Sequence, residues 1–585
     1  MPFNPPSADL PLKPVRLPAS ATLMLPRWGL ILLCLMYILP GLIGRDPWKY
    51  DDAASFGVMW TMAHGGLSDW LWPNIVGEPM AQEGPFAFWL GAICIKLFGW
   101  ILGDALAARI APLSFFFLGA VSLWRAAFLL GRRAEAQPMR LAFGGQPEPD
   151  AYGRVLADGA LLIYIGCIGL LLHSHETRAE SLFVALSALT LYFAARYVKR
   201  PSLRIACLLG LTLGCTTLTR GWTVPLALWL SLFACFRLLK LESIRTVRHL
   251  LIALAIALGV VSIWVIPVWV LHPFNSTPLP QWMDWNYAQL GLPNLASLWY
   301  LLKNGTWFFW PAWPFAIWAI YAWRRQILSL HVLLPLTFAV ALLLLTLIDP
   351  RADEASLLPM LPPLAVLAAF GLPTMKRGAI NAADWFSLMT LSACAGFIWI
   401  GWIAKQTGWP EQIARNAFKL APGFKPEFSF IAFIAAAAAT VFWFLLVAWR
   451  LSRQPGVLWR AVVLSSGGII LCWLLLTTLW LPWINYGRSY ASVAQEIAQK
   501  LPSDKYCVET NVNGAIRASL AYLGDIRFAG FNEVNCEFVL RQAYPRKKRT
   551  DPVLYPPVEG KTAVLWDGHR PADRDERFRL YQRVK

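Results

Sequence analysis

Residues 44–99 read GRDPWKYDDAASFGVMWTMAHGGLSDWLWPNIVGEPMAQEGPFAFWLGAICIKLFG and follow the first hydrophobic segment of the chain. Within this stretch the acids Asp46, Asp51, Asp52 and Glu83 stand among aromatic residues and between membrane-length apolar segments. An ionised group beside hydrocarbon costs several kcal/mol unless a wet cavity or a charged partner receives it. We therefore expect a polar cavity here, and we expect these acids to work in it.

The composition is that of a membrane protein. The chain has 585 residues, of which 57% are hydrophobic and 15% are charged, whereas a soluble chain carries about 25% charged residues. The mean hydropathy is +0.49, and apolar runs of roughly 20 residues, enough to cross a bilayer, recur almost to the end. These features predict an all-α polytopic membrane protein. The 31 tryptophans fit its membrane–water interfaces.

The net charge of +18 raises the question of a nucleic-acid partner. However, the basic residues fall in short clusters between apolar segments, which is the pattern of the positive-inside rule. We therefore expect membrane lipids around the chain and no nucleic acid.

The same clusters set the predicted topology. Residues 1–27 are basic, lack a signal-peptide cleavage pattern and are expected in the cytoplasm. The apolar segment 85–101 is short and carries Lys96, so it either crosses the membrane or lies on its outer surface. If it crosses, every later basic cluster inverts to the outside, and we therefore place it outside as a juxtamembrane helix. About thirteen spans follow, with the C-terminus outside: 28–44, 106–130, 155–172, 181–198, 203–218, 222–237, 249–271, 305–323, 330–348, 355–372, 384–404, 429–449 and 461–483. One loop conflicts with this assignment, because 405–428 is placed outside and yet is basic.

This topology collects the polar segments on one face. The predicted external side holds the opening loop, HSHETRAES (173–181), the TRG turn (219–221), the aromatic loop 272–303 and DPRADE (349–354). Carboxylates and arginines that converge at the outer leaflet predict a catalytic cavity there.

Residues 485–585 lose the hydrophobic character and predict a small soluble α/β domain outside the membrane. Its pattern predicts helices in SYASVAQEIAQKL and AIRASLAYLG and strands in YCVETNV and TAVLWDG. The run PRKKRT (545–550) predicts a solvated face. Cys507 and Cys536 either form a disulfide in an oxidising compartment or remain unlinked buried thiols.

External carboxylates with scattered arginines suit glycosyl transfer from a lipid-phosphate sugar. A carboxylate takes the proton of an acceptor hydroxyl, and cations hold the departing polyprenyl phosphate. No ATP is present outside the inner membrane, so a pre-activated lipid donor is favoured and no cofactor is expected. His173 and His175 stand two apart, which is poor helical metal geometry, so we expect them to form local hydrogen bonds.

The opening stretch resembles the first external loop of the family-39 type GT-C glycosyltransferases, which include bacterial lipid A aminoarabinose transferases and protein O-mannosyltransferases. The family pattern is an acidic pair, a Met about eleven residues on, a G-D-W-x-x-P segment and E-K-P-P-L before an aromatic helix. Here these are Asp51-Asp52, Met62, GGLSDWLWP and a final element that begins at Glu83. Gly84 stands where the family has Lys and Phe86 where it has the second Pro, so another cation replaces that Lys or the donor differs.

Later segments resemble the family in the same order. They are LAARIAPLSF (106–115), RAESLFVAL (178–186), LTRGW (218–222), WFFWPAWPFAI (307–317) and SLLPMLPPLAVLAA (356–369). The resemblance covers roughly residues 40–370. It implies a GT-C transmembrane domain over 28–484, with a catalytic first periplasmic loop at 45–105. Because members of that family generally need no metal for the chemistry, the resemblance also implies that there is no catalytic metal.

The resemblance maps the catalytic base onto Asp51, with Asp52 and Glu83 shaping the pocket. Arg178, Arg220 and Arg351 are candidates for the lipid phosphate, and Glu180, Asp353 and Glu354 complete the predicted substrate-binding set. Each has a plainer alternative. Asp46 and Asp52 suit helix caps, Arg178 and Arg220 suit snorkelling or topology marking, and Arg351 suits an ion pair with Asp353 or Glu354.

The leading hypothesis is thus an inner-membrane glycosyltransferase with a polyprenyl-phosphate-sugar donor and lipid A, another glycan or a protein as acceptor. The alternatives are a transporter or flippase, which would carry charges through the bilayer, and a non-catalytic scaffold for envelope assembly. The predicted mid-span segments are nearly free of charge, which favours the first hypothesis.

Overall fold

The structure is a computed structural model that describes residues 13–80, 83–140, 144–241, 243–271, 278–453, 458–503, 506–530, 536–545 and 552–584. The predicted solvated face at 545–550 lies, except for Pro545, outside these residues.

The described part is mostly helical. Its helices are α1 Arg27–Ile38, α2 Asp51–His64, α3 Leu67–Leu71, α4 Phe86–Leu102, α5 Asp104–Ala108, α6 Ile110–Gly131, α7 Pro149–Ile165, α8 Ile168–His173, α9 Ala179–Lys199, α10 Leu203–Arg220, α11 Thr223–Leu238, α12 Ile244–Leu271, α13 Pro278–Tyr287, α14 Leu295–Phe308, α15 Ala312–Ala322, α16 Leu330–Ile348, α17 Glu354–Leu357, α18 Leu361–Ala369, α19 Arg377–Thr407, α20 Glu411–Leu420, α21 Phe430–Arg453, α22 Arg460–Leu479, α23 Leu481–Arg488, α24 Ala491–Ala498 and α25 Gly514–Gly524.

Six short strands complete the described elements: β1 Asn74–Ile75, β2 Glu78–Pro79, β3 Val508–Thr510, β4 Phe538–Gln542, β5 Thr562–Arg570 and β6 Asp573–Arg583. The first two form a small antiparallel hairpin, and the other four form one sheet in the order β3-β4-β6-β5.

Membrane-length helices make up the body of the molecule. Among the described residues, eight helical segments are long and apolar enough to cross a membrane, and four shorter apolar helices accompany them. The eight are Asp104–Gly131, Ala179–Lys199, Ile244–Leu271, Leu330–Ile348, Glu354–Thr374, Gly378–Thr407, Phe430–Leu451 and Val462–Leu479. Every one of the predicted spans overlaps a helix, and the protein is a multi-pass membrane protein. The count of thirteen crossings and their orientation stay predictions.

Prolines and turns shorten some predicted spans. The first was expected over 28–44, but α1 ends at Ile38, two residues before Pro40. Proline lacks the N–H that would continue the helix. The span expected at 305–323 is likewise divided, because the chain turns at Trp310–Pro311 between α14 and α15.

The opening stretch forms a layer between the helical bundle and the C-terminal region. Helix α2 packs on α4 and on α25, and α4 in turn packs on α6, α9 and α10. The approach of α2 to α25 is close, because a Cβ atom at Gly57 would lie 2.4 Å from the Cβ of Ala518. Helix α4 coincides with the predicted apolar segment 85–101 to within one residue at each end.

The C-terminal region has its own core, beneath α24 and α25. Strands β3 and β4 run parallel, whereas β6 pairs antiparallel with β4 and β5. Alternate residues Phe578 and Leu580 of β6 are buried, as a half-buried strand requires. Cys507 and Cys536 form a disulfide, which resolves the two alternatives left by the sequence. Both predicted helices and both predicted strands are present, while β4 and β6 were not predicted.

Candidate active site

Two arginines from neighbouring helix ends organise the site. Arg178 is the N-cap of α9 and Arg220 is the last residue of α10. Because α9 and α10 are joined by a short connection at 200–202 and pack side by side, the start of one meets the end of the other. Both guanidinium groups reach the carboxylate of Glu180, in the first turn of α9.

Glu180 is the hub of this cluster. Glu180 is 1% exposed. Its carboxylate accepts two hydrogen bonds from Arg178, at 2.6 and 3.1 Å, in a bidentate arrangement. Arg220 donates a further hydrogen bond of 2.7 Å to the same Oε1 atom. Charge-assisted, bidentate contacts of this kind are the stronger ion pairs in proteins. The snorkelling alternative therefore does not describe these arginines, which point inward to a buried acid.

Arg220 also gathers acids from distant segments. Its Nη1 atom lies 3.1 Å from Glu83, and its Nη2 atom lies 3.1 Å from Asp353. The guanidinium stands 5.6 Å from the ring centre of Trp285 on α13. One side chain thus joins the opening stretch, the α10 turn, the aromatic loop and the segment 349–354.

Asp51 presents its carboxylate to solvent. It is the first residue of α2, its side chain is 67% exposed, and Arg178 lies 3.3 Å from it. The residue before it, Tyr50, has φ 74° and ψ −132°. A non-glycine residue in that region is strained, and such strain concentrates at functional sites. The geometry leaves an oriented but open carboxylate at the rim of the arginine cluster.

Asp52 has the opposite environment. It is 2% exposed and accepts from the Arg45 guanidinium at 2.7 Å and from the Trp48 backbone N–H at 3.2 Å. Thr177 adds hydrogen bonds from its backbone N–H and its hydroxyl. Burial opposes ionisation, but the charges of Arg45 and Arg109 outweigh it, so the pKa of Asp52 lies below its usual range. Asp52 ties the start of α2 to the segment 173–178 and is not the N-cap of α2, which is Tyr50.

Glu83 is a carboxyl group that resists ionisation. Burial, followed by the nearby Glu180 carboxylate, raises the pKa of Glu83 to about 8, against the opposing charges of Arg220 and Arg178. The neighbouring Gly84 explains the missing family lysine. A Cβ atom at this position would lie 1.9 Å from the carbonyl oxygen of Leu218, so no side chain fits there.

Sequence reasoning missed Glu176. Its carboxylate lies 3.7 Å from Arg45 and 3.6 Å from Arg178, and the residue is 6% exposed. Burial and the Asp52 carboxylate raise its pKa to about 7. The signal was present, because Glu176 stands in the acidic loop HSHETRAES beside two residues that were selected. Arg45, Arg109 and Trp285 were also missed.

Arg351 lines a cavity together with Arg220. This cavity of about 240 Å³ is also lined by Glu83, Asp349 and Asp353. The alternative to phosphate binding was an ion pair of Arg351 with Asp353 or Glu354, but Asp353 contacts Arg220 and Glu354 lies 3.5 Å from His173. Within the described part of the chain, the Arg351 guanidinium is exposed and forms no hydrogen bond or ion pair.

The histidines behave as local hydrogen-bonding groups. His173 Nδ1 lies 2.9 Å from the Gly169 carbonyl, and His175 donates from Nδ1 to the Leu171 carbonyl. A search of the described residues finds no group of three or more His, Cys, Asp or Glu side chains suited to a metal ion. The expectation of local hydrogen bonds is confirmed, while the expectation of no catalytic metal stays a prediction.

Comparison with known proteins identifies the fold. No protein-family profile and no curated protein sequence matches the chain. Among solved structures, ArnT from Cupriavidus metallidurans bound to undecaprenyl phosphate aligns at a TM-score of 0.60 and 16% identity over 86% of each chain. The apo state of the same ArnT aligns at a TM-score of 0.59 and 18% identity, over 85% of this chain and 84% of that one.

The protein therefore has the GT-C fold of membrane glycosyltransferases, with the small C-terminal α/β region that the sequence predicted. At these identities the likeness establishes the fold. The chemistry has to be argued from the side chains.

Proposed function

We propose that this protein is an inner-membrane glycosyltransferase that moves a sugar from a polyprenyl-phosphate donor to an envelope acceptor on the periplasmic side. The proposal rests on the fold together with one juxtaposition. Asp51 offers an open carboxylate, and Arg351, which forms no ion pair among the described residues, lines a nearby cavity. The pair of arginines on Glu180 lies between them, because Arg178 contacts Asp51 and Arg220 lines the same cavity as Arg351. One of the ArnT structures binds undecaprenyl phosphate, the class of group such a cavity suits.

The reaction balances without a further reagent. The acceptor hydroxyl oxygen forms a bond to the anomeric carbon of the sugar as the bond from that carbon to the phosphate oxygen breaks. The polyprenyl phosphate leaves with the electron pair, and the acceptor proton goes to a carboxylate. Asp51 suits the role of base because its carboxylate is exposed and held by one guanidinium. No metal or cofactor is needed in this scheme.

Cations are required where charge develops. The departing phosphate gains negative charge, and fixed guanidinium groups stabilise it in a partly enclosed site. Arg351 is the first candidate because it is exposed in the cavity without an acidic partner among the described residues. Arg220 is the second, and it fills the role left by the lysine that Gly84 excludes. Arg178 orients Asp51. Glu180 holds Arg178 and Arg220 in position.

Asp52 is assigned a positioning role. Its oxygens are occupied by Arg45, Trp48 and Thr177, so it has no free lone pair directed to a substrate. Asp353 lines the cavity and holds Arg220, and the neighbouring Glu354 lies 3.5 Å from His173. The nature of the acceptor, whether lipid A, another glycan or a protein, is left to experiment.

Mass spectrometry of envelope glycolipids and glycoproteins tests the proposal. Cells that lack the protein are compared with cells that carry the wild type, Asp51→Asn or the control Glu411→Gln at matched membrane levels. Glu411 is an exposed acid on α20 that pairs with Arg415 and lies outside the cluster. We expect a sugar-sized mass restored by the wild type and the control but not by Asp51→Asn. Full restoration by Asp51→Asn would refute the catalytic assignment, and no change in any glycan mass would refute the transferase.

A further inference from the structure

A second polar cavity lies at the other end of the helical bundle. It has a volume of about 700 Å³ and is enclosed by the N-terminal segment around 16–21, the turn at 372–375 and helices α19, α21 and α22. Helix α22 shows the separation. Its first residue, Arg460, lines this cavity, whereas Trp473, near its far end, donates a hydrogen bond to His175 beside the candidate active site. Thirteen helical residues separate them, or about 20 Å.

The cavity carries an excess of positive charge. Arg16, Arg450 and Arg460 line it, and Asp384 is the acid among its lining residues. Asp384 is already engaged by Arg450, in an ion pair that is more than nine-tenths buried. Among the described residues, Asp384 Oδ1 and Arg450 Nε nevertheless have no hydrogen-bond partner, and both atoms are buried. A cavity with three guanidinium groups, one of which has an unsatisfied buried N–H, is built to take an anion whose oxygens accept hydrogen bonds.

The rim of the cavity is apolar and open to the side. Trp385 and Leu451, both lining residues, are 56% and 50% exposed, and Leu388 and Leu464 lie below them. Helices α19 and α21 expose most of their apolar length, and a tryptophan at such a level is typical of a membrane interface. A free anion would gain nothing from these side chains, whereas acyl chains would cover them.

We propose that this cavity binds the phosphate headgroup of an anionic membrane lipid, with the acyl chains along α19 and α21. The positive-inside rule places this end of the bundle at the cytoplasmic leaflet, where basic pockets between helices bind lipid phosphates. Arg16 and Arg460 contact the phosphate, and the Arg450–Asp384 pair forms the floor. The bound lipid fastens the peripheral helices α19 and α21 to the N-terminal segment and α22. This site is separate from the proposed glycosyl transfer.

Native mass spectrometry of the delipidated full-length protein tests the site with phosphatidylglycerol and, for comparison, zwitterionic phosphatidylcholine. The key variant is Arg16→Gln/Arg460→Gln. Arg16→Lys/Arg460→Lys keeps the charges, and Arg325→Gln removes an exposed arginine from outside the lining. We expect phosphatidylglycerol to bind the wild type, the lysine variant and Arg325→Gln, and to bind the glutamine variant about tenfold more weakly or worse. Asn381→Trp, which fills the cavity and keeps every arginine, should also weaken binding.

Thermal unfolding separates the two sources of phosphate. Phosphatidylglycerol should raise the Tm of the wild type by a few degrees and leave Asn381→Trp unchanged, while millimolar inorganic phosphate should have little effect. Equal stabilisation by inorganic phosphate would overturn the lipid assignment. Equal binding of both lipids, or a glutamine variant that binds as the wild type does, would overturn the site itself.

Discussion

The Oε1 atom of Glu180 lies 2.7 Å from Nη1 of Arg220, and this contact joins the first turn of α9 to the last residue of α10. Glu180 is almost completely buried, so forming the pair requires that both charges lose their contacts with water, which costs free energy. Such a pair is a weak source of net stability, but removal of one partner leaves a buried charge with less compensation. The predictions about the cluster follow from this asymmetry.

Arg220→Gln should destabilise the protein and abolish activity. The substitution removes the ion-pair partner of Glu83 and Asp353 and one of the two partners of Glu180. Loss of one member of a buried pair costs about 3–5 kcal/mol, and above pH 8, where Glu83 is charged in the wild type, proton uptake by Glu83 will offset part of that cost. Thermal unfolding in detergent measures the effect. At pH 9, where Glu83 is mostly charged, the double variant Arg220→Gln/Glu83→Gln should recover part of the lost Tm, and strictly additive losses would contradict the coupling.

Ionisation of Glu83 should weaken phosphate binding above pH 8. Burial and the Glu180 carboxylate raise the pKa of Glu83 to about 8, so this carboxyl is mostly neutral at pH 7 and mostly charged at pH 9. The added negative charge competes with a lipid phosphate for Arg220. The Kd for undecaprenyl phosphate should therefore rise about tenfold between pH 7 and pH 9, equivalent to about 1.4 kcal/mol.

Glu83→Gln supplies the control for this pH effect. The amide can still accept a hydrogen bond from Arg220 but cannot ionise, so its Kd should be nearly constant over the same range. Because the lipid phosphate itself titrates, only the difference between wild type and variant is diagnostic. A parallel pH profile in both proteins would show that Glu83 is not the titrating group.

Asp52→Asn should destabilise the fold, and the loss of stability should depend on pH in the acidic range rather than in the alkaline range where Glu83 titrates. The pKa of Asp52 is lowered from its usual 3.8, so its stabilising contribution is fully present above about pH 4 and is lost as the pH falls through the lower value of the folded state. The Tm difference between wild type and variant should be constant from pH 6 to pH 8 and should shrink below pH 4. Asp525→Asn, at an exposed left-handed position that asparagine tolerates, is the matched control. A Tm difference that grew toward low pH would refute the assignment.

The residues predicted from the sequence reach the cluster because they sit at helix ends that topology brings together. Arg178, Glu180 and Arg220 all lie within a turn of such an end, and the positive-inside rule alone placed these ends on one face. Arg109 was out of reach of the same reasoning. It stands at the break between α5 and α6, and its guanidinium donates to backbone carbonyls of Leu42, Arg45 and Asp46, more than sixty residues away. No local pattern announces a bond from a side chain to a distant backbone.

The helical segments were predictable for a similar reason. Apolar length is a local property, and every predicted span overlaps a helix. Whether a proline interrupts a span cannot be predicted from the local sequence alone. Pro335 lies inside the continuous helix α16, whereas Pro40 follows the end of α1. Packing around each proline decides between these outcomes, and the sequence does not state that packing. The strands β4 and β6 of the C-terminal region were not predicted because they form by pairing with strands that are distant in the sequence.

Reduction of the Cys507–Cys536 disulfide should loosen the C-terminal region and leave the bundle folded. The bridge closes a loop with a sequence separation of 29 residues, for which loop entropy gives about 3–4 kcal/mol. Cys507→Ser/Cys536→Ser should therefore increase proteolysis and hydrogen exchange of β3 and β4. Exchange in α9 and α10 should stay unchanged. Protection of β3 and β4 equal to that of the wild type would show that the bridge does not stabilise this region.

Gly84→Lys, which introduces the residue found at this place in the resembling family, should impair the protein rather than improve it. A Cβ atom at 84 would lie 1.9 Å from the Leu218 carbonyl oxygen, and this contact is with backbone rather than with a flexible side chain. The Gly84 N–H also donates to the Thr219 carbonyl at 3.2 Å, so the two segments cannot separate without loss of that bond. Gly84→Ala should consequently lower the Tm about as much as Gly84→Lys, because the clash arises at Cβ. If Gly84→Lys instead kept the wild-type Tm and bound undecaprenyl phosphate more tightly, the α10 turn could move aside, and Arg220 would no longer be needed as the replacement cation.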